Sequence, residues 1–286
     1  MTFPGSKTCV PSCARSLIAC LRIAALFCFF LLPLSTTAHA DTVITYLATG
    51  TDPGNHALDS LVSLDFNPSA NLITASVTNL VSDQNSQMLK DDGQLIVDFS
   101  FEMDVKLGNL SVTQQSAPYG YVNLSAGLNP AQHGSITPDW NPVFTAGGSY
   151  PNFDTTITLC DNPGAPNCSG QWVGGGGQHQ QMIIGEGAGA NALNYSGANS
   201  SLRNANKNPD IFETAVFRIS ATGLPTNLSQ ADLSSVTVYF GTGTSPQSVA
   251  ATFQSDVSTV PEPSPVIFAL IGFILVGLTR KLRRQR

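Results

Sequence analysis

Residues 97–103 alternate: Val97, Phe99, Phe101 and Met103 form an apolar series, while Asp98, Ser100 and Glu102, continued by Asp104, form a polar one. Successive side chains of an extended chain leave opposite faces, so this period of two predicts a half-buried strand with an acidic outer face. Segments 42–48, 61–66, 72–77, 155–159, 211–219 and 236–240 are likewise rich in β-branched and aromatic residues. Turn formers separate them: Asp52-Pro53-Gly54, Asn67-Pro68, Asp91-Asp92-Gly93 and Gly223-Leu224-Pro225. No long stretch shows a helical repeat, although 229–233 suits a single turn. The pattern predicts a mainly β protein: a single antiparallel β-sandwich, jelly-roll-like or lectin-like, over residues 41–258.

Composition narrows the class further. Charged residues are only 11% of 286, against roughly 25% in an ordinary soluble domain, which disfavours coiled coils and helix-rich enzymes. Residues 41–260 hold 5 Lys+Arg against 18 Asp+Glu, a net charge of −13 that would repel phosphates, so no nucleic-acid partner is expected. No repeat stands out at solenoid or propeller periods. Residues 116–208 are poor in strand patterning and rich in Gly, Pro, Asn and Gln, which predicts binding loops or mobile segments there.

Both ends read as targeting segments. Lys7, Arg15 and Arg22 precede the apolar run 23–34, and Ala38-His39-Ala40 follows it, in the order of a secretory signal peptide (1–40). Small side chains at Ala38 and Ala40 predict cleavage before Asp41, with the Sec translocon and signal peptidase as partners. Segment 265–279 is almost wholly apolar and predicts a transmembrane helix of roughly 22 Å, shorter than a ~30 Å hydrocarbon core. The basic tail Arg280, Lys281, Arg283, Arg284 and Arg286 would stop transfer and stay cytoplasmic, leaving the β-rich domain outside.

Before that span stands Val260-Pro261-Glu262-Pro263. Pro-Glu-Pro, a short apolar span and an arginine-rich end together resemble the PEP-CTERM sorting signal of Gram-negative bacteria that make extracellular polysaccharide, here over 259–286. The resemblance implies an exosortase-type membrane protease as partner, transient membrane anchoring, removal of the tail, and delivery to the cell surface or exopolysaccharide matrix. It is silent on the chemistry of the exported part.

Cys9, Cys13, Cys20 and Cys28 leave with a signal peptide, so Cys160 and Cys168 remain across a Pro/Gly loop and predict a local disulfide. Without nearby histidines the pair does not suggest zinc, and no metal or cofactor is expected. His56, His133 and His179 survive processing, and none sits in a recognisable catalytic motif. The acidic pairs Asp91-Asp92 and Asp52 with Asp59 read as solvated turns, since no run supplies the six to eight oxygens calcium takes. Gly174–177 and 185–189 lack the strand, helix and Lys-Ser/Thr of a phosphate loop and read as surface turns. Trp140 and Trp172 fall in the loop-rich middle, where an exposed indole would stack on a sugar ring; packing of loops on the sheet is the competing reading.

The sequence thus predicts an exported, exosortase-sorted surface or biofilm-matrix protein without catalytic activity. The alternatives are a carbohydrate-binding, lectin-like module and a secreted hydrolase.

Overall fold

The computed structural model describes residues 41–82, 89–114, 117–118, 120–137, 140–146, 155–161, 168, 181–204, 208–241 and 246–259. The first strands are the most regular. β1 (Asp41–Thr51), β2 (Ala57–Asn67) and β3 (Leu72–Asn79) form a meander in which burial alternates along each strand. Its turns lie where the sequence places them. Asn67 Oδ1 accepts from Ser69 Oγ and the Ala70 amide, both at 2.7 Å, and Asn55 (φ 61°) and Asn71 (φ 52°) take left-handed positions that asparagine tolerates.

The remaining strands are β4 (Ile96–Met103), β5 (Gly108–Gln114), β6 (Tyr121–Val122), β7 (Gln132–His133), β8 (Asn141–Ala146), β9 (Thr155–Cys160), β10 (Ile183–Ile184), β11 (Asp210–Phe212), β12 (Thr214–Thr222), β13 (Leu233–Phe240) and β14 (Gln247–Thr259). They pair in the order β5-β12-β3-β2-β1-β14-β13-β4-β10-β11-β6-β7, with β9 also on β4 and β8 on β9. The expectation of a single antiparallel β-sandwich is therefore corrected. These 14 strands form one continuous mixed sheet, in which β10 and β11 run parallel. The cause of the continuity is β14: residues 247–250 pair with β13, and 251–259 pair with β1, so one long strand carries the ladder from one limb into the other.

Apolar side chains from both limbs join one core. Ile44, Leu64, Ile73 and Phe217 of the first limb bury with Phe99, Phe101, Ile157 and Val238 of the second. The Phe99 and Phe217 rings lie 6.0 Å apart, and Trp140 lies 5.1 Å from Phe217. Each such side chain contributes roughly 1.5–3 kcal/mol through removal from water. A second cluster, with Val81, Leu95, Val97, Met182, Ile184, Tyr195 and Leu202, covers the opposite face of β4.

That cover corrects the predicted acidic outer face. Asp98 is wholly buried, and its Oδ1 accepts the Asp161 amide at 2.7 Å. Val97 is also displaced from the Phe99 face, because Tyr239 opposes Asp98 and Phe240 opposes Ile96, which leaves Val97 as the extra residue of a bulge.

The expected C-terminal transmembrane helix is likewise corrected: among the described residues no helix is long and apolar enough to cross a membrane. The signal segment 1–40, the motif Val260, Pro261, Glu262 and Pro263, the span 265–279 and the tail Arg280, Lys281, Arg283, Arg284 and Arg286 lie outside the described residues. Asp41, the expected mature terminus, is the first residue of β1.

Candidate metal centre

β1 ends at Thr51, and the chain turns through Asp52-Pro53-Gly54-Asn55 into β2. Asp52 closes this turn twice: its amide donates to the His56 carbonyl and its own carbonyl accepts from Asn55, both at 2.9 Å. The side chain then receives the next residue, because the His56 amide donates to Asp52 Oδ1 at 2.7 Å. These bonds set the imidazole beside the carboxylate, with Nδ1 at 2.9 Å from Asp52 Oδ2.

Asp91 reaches the same nitrogen from the β3–β4 connection. It caps the 3-10 turn Asp92–Gln94, where its Oδ1 accepts the Gly93 amide at 2.9 Å, and its Oδ2 lies 3.5 Å from His56 Nδ1. Gly93 is part of the construction: a Cβ there would stand 2.8 Å from Asp91 Oδ1 and 3.4 Å from Asp52 Oδ2.

Asp52, His56 and Asp91 thus each offer one ligand atom, all within 4.8 Å of one another. Metal–ligand bonds of about 2.1 Å place neighbouring ligands roughly 3.0 Å apart in an octahedron and roughly 3.4 Å apart in a tetrahedron. The separations of 2.9 and 3.5 Å from Nδ1 fall at those edges. One imidazole with two carboxylates suits zinc or manganese better than calcium, which takes oxygen alone. The Asp52 side chain is 8% exposed and His56 31%, so the site is open to solvent on the imidazole side.

A second group of ionisable residues lies around the β11–β12 junction. Glu213 occupies a left-handed position (φ 59°) between those strands, with its amide on the Ile184 carbonyl at 2.8 Å and its carbonyl accepting from Asn79 at 2.9 Å. Burial, then a hydrogen bond with the Glu186 carboxyl, push the Glu213 carboxyl up to about 7.

The other residues singled out in the sequence fall differently. Cys160 and Cys168 are disulfide-bonded, with Cα atoms 5.7 Å apart. Trp140 is buried, donates Nε1–H to the Gln181 carbonyl at 2.9 Å and packs on Phe217, so it offers no stacking face to a sugar. Trp172 and His179 lie outside the described residues. His133 is exposed and stacks on Tyr121 at 5.3 Å. Of the acidic pairs, Asp52 meets Asp91 through His56, and Asp59 sits in β2 opposite Thr49. The Gly185–Gly189 segment is no free turn: Gly185 and Gly187 are buried. Sequence reading missed the cluster because its members lie on two loops. The one available signal was Asp52 four residues before His56 across a Pro-Gly turn.

The chain matches no protein-family model and no curated protein. Identity as an exosortase-sorted surface protein, implied by the tail alone, is corrected on that finding. The implied exosortase partner, transient membrane anchoring and delivery to a cell surface or exopolysaccharide matrix are corrected with it, since no helix among the described residues is long and apolar enough to cross a membrane.

Proposed function

We propose that this β domain is a non-catalytic divalent-cation-binding module, with Asp52, His56 and Asp91 holding a zinc- or manganese-type ion between two loops. The observation that carries it is the convergence of three ligand atoms from the β1–β2 turn and the β3–β4 connection within 4.8 Å. A bound ion would tie those loops together, and an open coordination position would face solvent beside His56. A non-catalytic reading is supported by the environment of the imidazole: its partners among the described residues are carboxylates, and no serine, threonine or cysteine is hydrogen-bonded to it.

Isothermal titration of the full chain with Zn²⁺, Mn²⁺ and Ca²⁺ tests the assignment. One equivalent of Zn²⁺ or Mn²⁺ should bind, and His56→Ala and Asp91→Ala should each weaken it at least tenfold. At a hundredfold excess over Kd, binding would stabilise the fold by about 2.7 kcal/mol, read as a raised Tm. Equal affinity in wild type and both variants, or no binding, overturns it.

A further inference from the structure

Asp91 lies between two residues whose main-chain groups are engaged by a third segment of the chain. The Lys90 carbonyl accepts the Asn199 amide at 2.7 Å, and the Asp92 amide donates to Ser201 Oγ at 3.2 Å, a bond that spans 109 residues of sequence. Asn199 caps the short 3-10 turn Ser200–Arg203, and its Oδ1 accepts the Ser201 amide at 2.8 Å. These two ties close on Asp91 from either side.

The same stretch is fastened on its other side to the strand that follows His56. Gln94 is wholly buried; its Oε1 accepts the Lys90 amide, and its Nε2 donates to the Ala57 carbonyl at 2.8 Å. Ala57 is the first residue of β2 and follows His56 directly. Residues 90–92 are thus held between the His56 loop and the 199–201 turn, with the Asp91 carboxylate as the group an ion would pull on. At the far end of that turn Leu202 is buried in the second core cluster, and its carbonyl accepts from Asn208 Nδ2 at 3.0 Å. The near end, with Asn199 and Ser200 exposed, docks on 90–92.

We propose that the ion site controls the 199–201 turn: occupancy of Asp52, His56 and Asp91 holds the turn docked, and loss of the ion releases it, an inference that rests on the ion-binding reading of the site. Without an ion, Asp91 approaches His56 at 3.5 Å between partly exposed groups, a contact worth little in water, so 90–92 can open locally and the two ties open with it. With an ion, moving Lys90 or Asp92 out of place means pulling Asp91 off the metal. Such coupling is reciprocal, so a change that weakens the docked turn must also weaken ion binding. Ser201 is then a positioning residue of the site, acting through Asp92 and not as a ligand.

Hydrogen exchange followed by mass spectrometry on the full chain, in EDTA and in a saturating concentration of whichever of Zn²⁺ and Mn²⁺ binds more tightly, reads the turn directly. With the ion, a peptide over 199–203 should exchange at least about tenfold more slowly, through suppression of local opening. A peptide over 188–193, whose Ala192 amide bonds Gly189 within its own turn, is the control and should change less than about twofold. In Ser201→Ala, calorimetry should show ion affinity reduced by about three- to tenfold, the worth of one ordinary hydrogen bond, and the slowing over 199–203 should shrink with it. An ion that binds without slowing 199–203, or that slows both peptides equally, overturns the coupling and leaves the ion site standing; if neither ion binds, both fall. Undiminished affinity in Ser201→Ala also overturns it, because linkage forbids a one-way effect. The comparison in wild type needs no variant to fold.

Discussion

Asn79 and Ile183 are joined by a hydrogen bond of 2.9 Å, from the side-chain Nδ2 of the first to the main-chain carbonyl of the second. The bond fastens the end of β3 to β10, in the other limb of the sheet. The same nitrogen donates to the Gln94 carbonyl at 2.9 Å, Oδ1 accepts from the Val81 amide at 3.0 Å, and the main-chain amide donates to Glu213 at 2.9 Å. A single buried side chain therefore satisfies groups in three separate segments.

Asn79→Ala should destabilise the domain by about 2–4 kcal/mol, because it strands two buried carbonyls and one amide. Asn79→Asp should cost at least as much, since a carboxylate cannot donate to either carbonyl. Urea denaturation of both variants measures this, and a loss under about 1 kcal/mol would show that water replaces the side chain.

Much of the sheet was legible, and the failures have physical causes. Alternation and turn chemistry located β1, β2, β3 and β13; burial follows the period of two in the first three, and in β13 it breaks at Tyr239 and Phe240, which are both buried. The segment 211–219 read as one strand because nothing local announces that Glu213 turns left-handed between β11 and β12. β14 went unread because its polar, Ser/Thr-rich sequence alternates only weakly, and Phe253 and Val257 remain 41% and 55% exposed. Membership of one continuous sheet depends on β14 changing partners midway, a long-range property with no local pattern. The burial of Asp98 and the meeting of His56 with Asp91 are of the same kind: each is decided by what packs against a residue from far along the chain.

Tyr46 supplies a prediction of opposite sign to that of Asn79. Its ring is buried edge-on to Phe253, with centroids 6.1 Å apart, and its hydroxyl has no hydrogen-bond partner among the described residues. Tyr46→Phe retains the ring and removes a desolvated polar atom, so it should leave stability unchanged or raise it by up to about 1 kcal/mol.

The same burial pushes the Tyr46 phenol up to about 12 from its ordinary 10. A neutral phenol favoured in the fold means stability is intact below pH ~10 and falls as pH rises through ~12, where the unfolded chain ionises first. Alkaline denaturation should therefore be shallower in Tyr46→Phe than in wild type. Identical alkaline profiles would show that Tyr46 ionises freely in the fold.

Gly185 fills a position that no side chain can share. A Cβ there would lie 1.8 Å from the Val81 carbonyl oxygen and 2.9 Å from its carbon, and main chain cannot swing aside as a flexible side chain can. Gly185→Ala should cost more than about 3 kcal/mol, near the upper end for overpacking, and separate β10 from the β3–β4 connection. Gly134 is the control, since nothing lies within 4 Å of its added Cβ. Gly134→Ala should fall within about 0.5 kcal/mol of wild type. Comparable Tm losses in the two variants would contradict the close approach.

Gly93 separates the ligand role of the Asp52–His56–Asp91 cluster from its role in the fold. The atoms an alanine Cβ would strike belong to carboxylates, Asp91 Oδ1 at 2.8 Å and Asp52 Oδ2 at 3.4 Å, so the intruding methyl can be accommodated by rotating Asp91 away. That rotation gives up the bond of the Gly93 amide to Asp91 and the approach of Asp91 to His56, both made by partly buried groups. Stability in the absence of metal should fall by only about 1 kcal/mol, the net worth of an ordinary hydrogen bond. Affinity for Zn²⁺ or Mn²⁺ should fall at least tenfold, because one of three ligands is displaced while Asp52 and His56 stay fixed by their own turn. Thermal denaturation of Gly93→Ala with and without the ion reads both effects in one series: a nearly unchanged metal-free Tm with a lost metal-induced rise is the expected pair. A metal-induced rise equal to that of wild type would remove Asp91 from the coordination sphere.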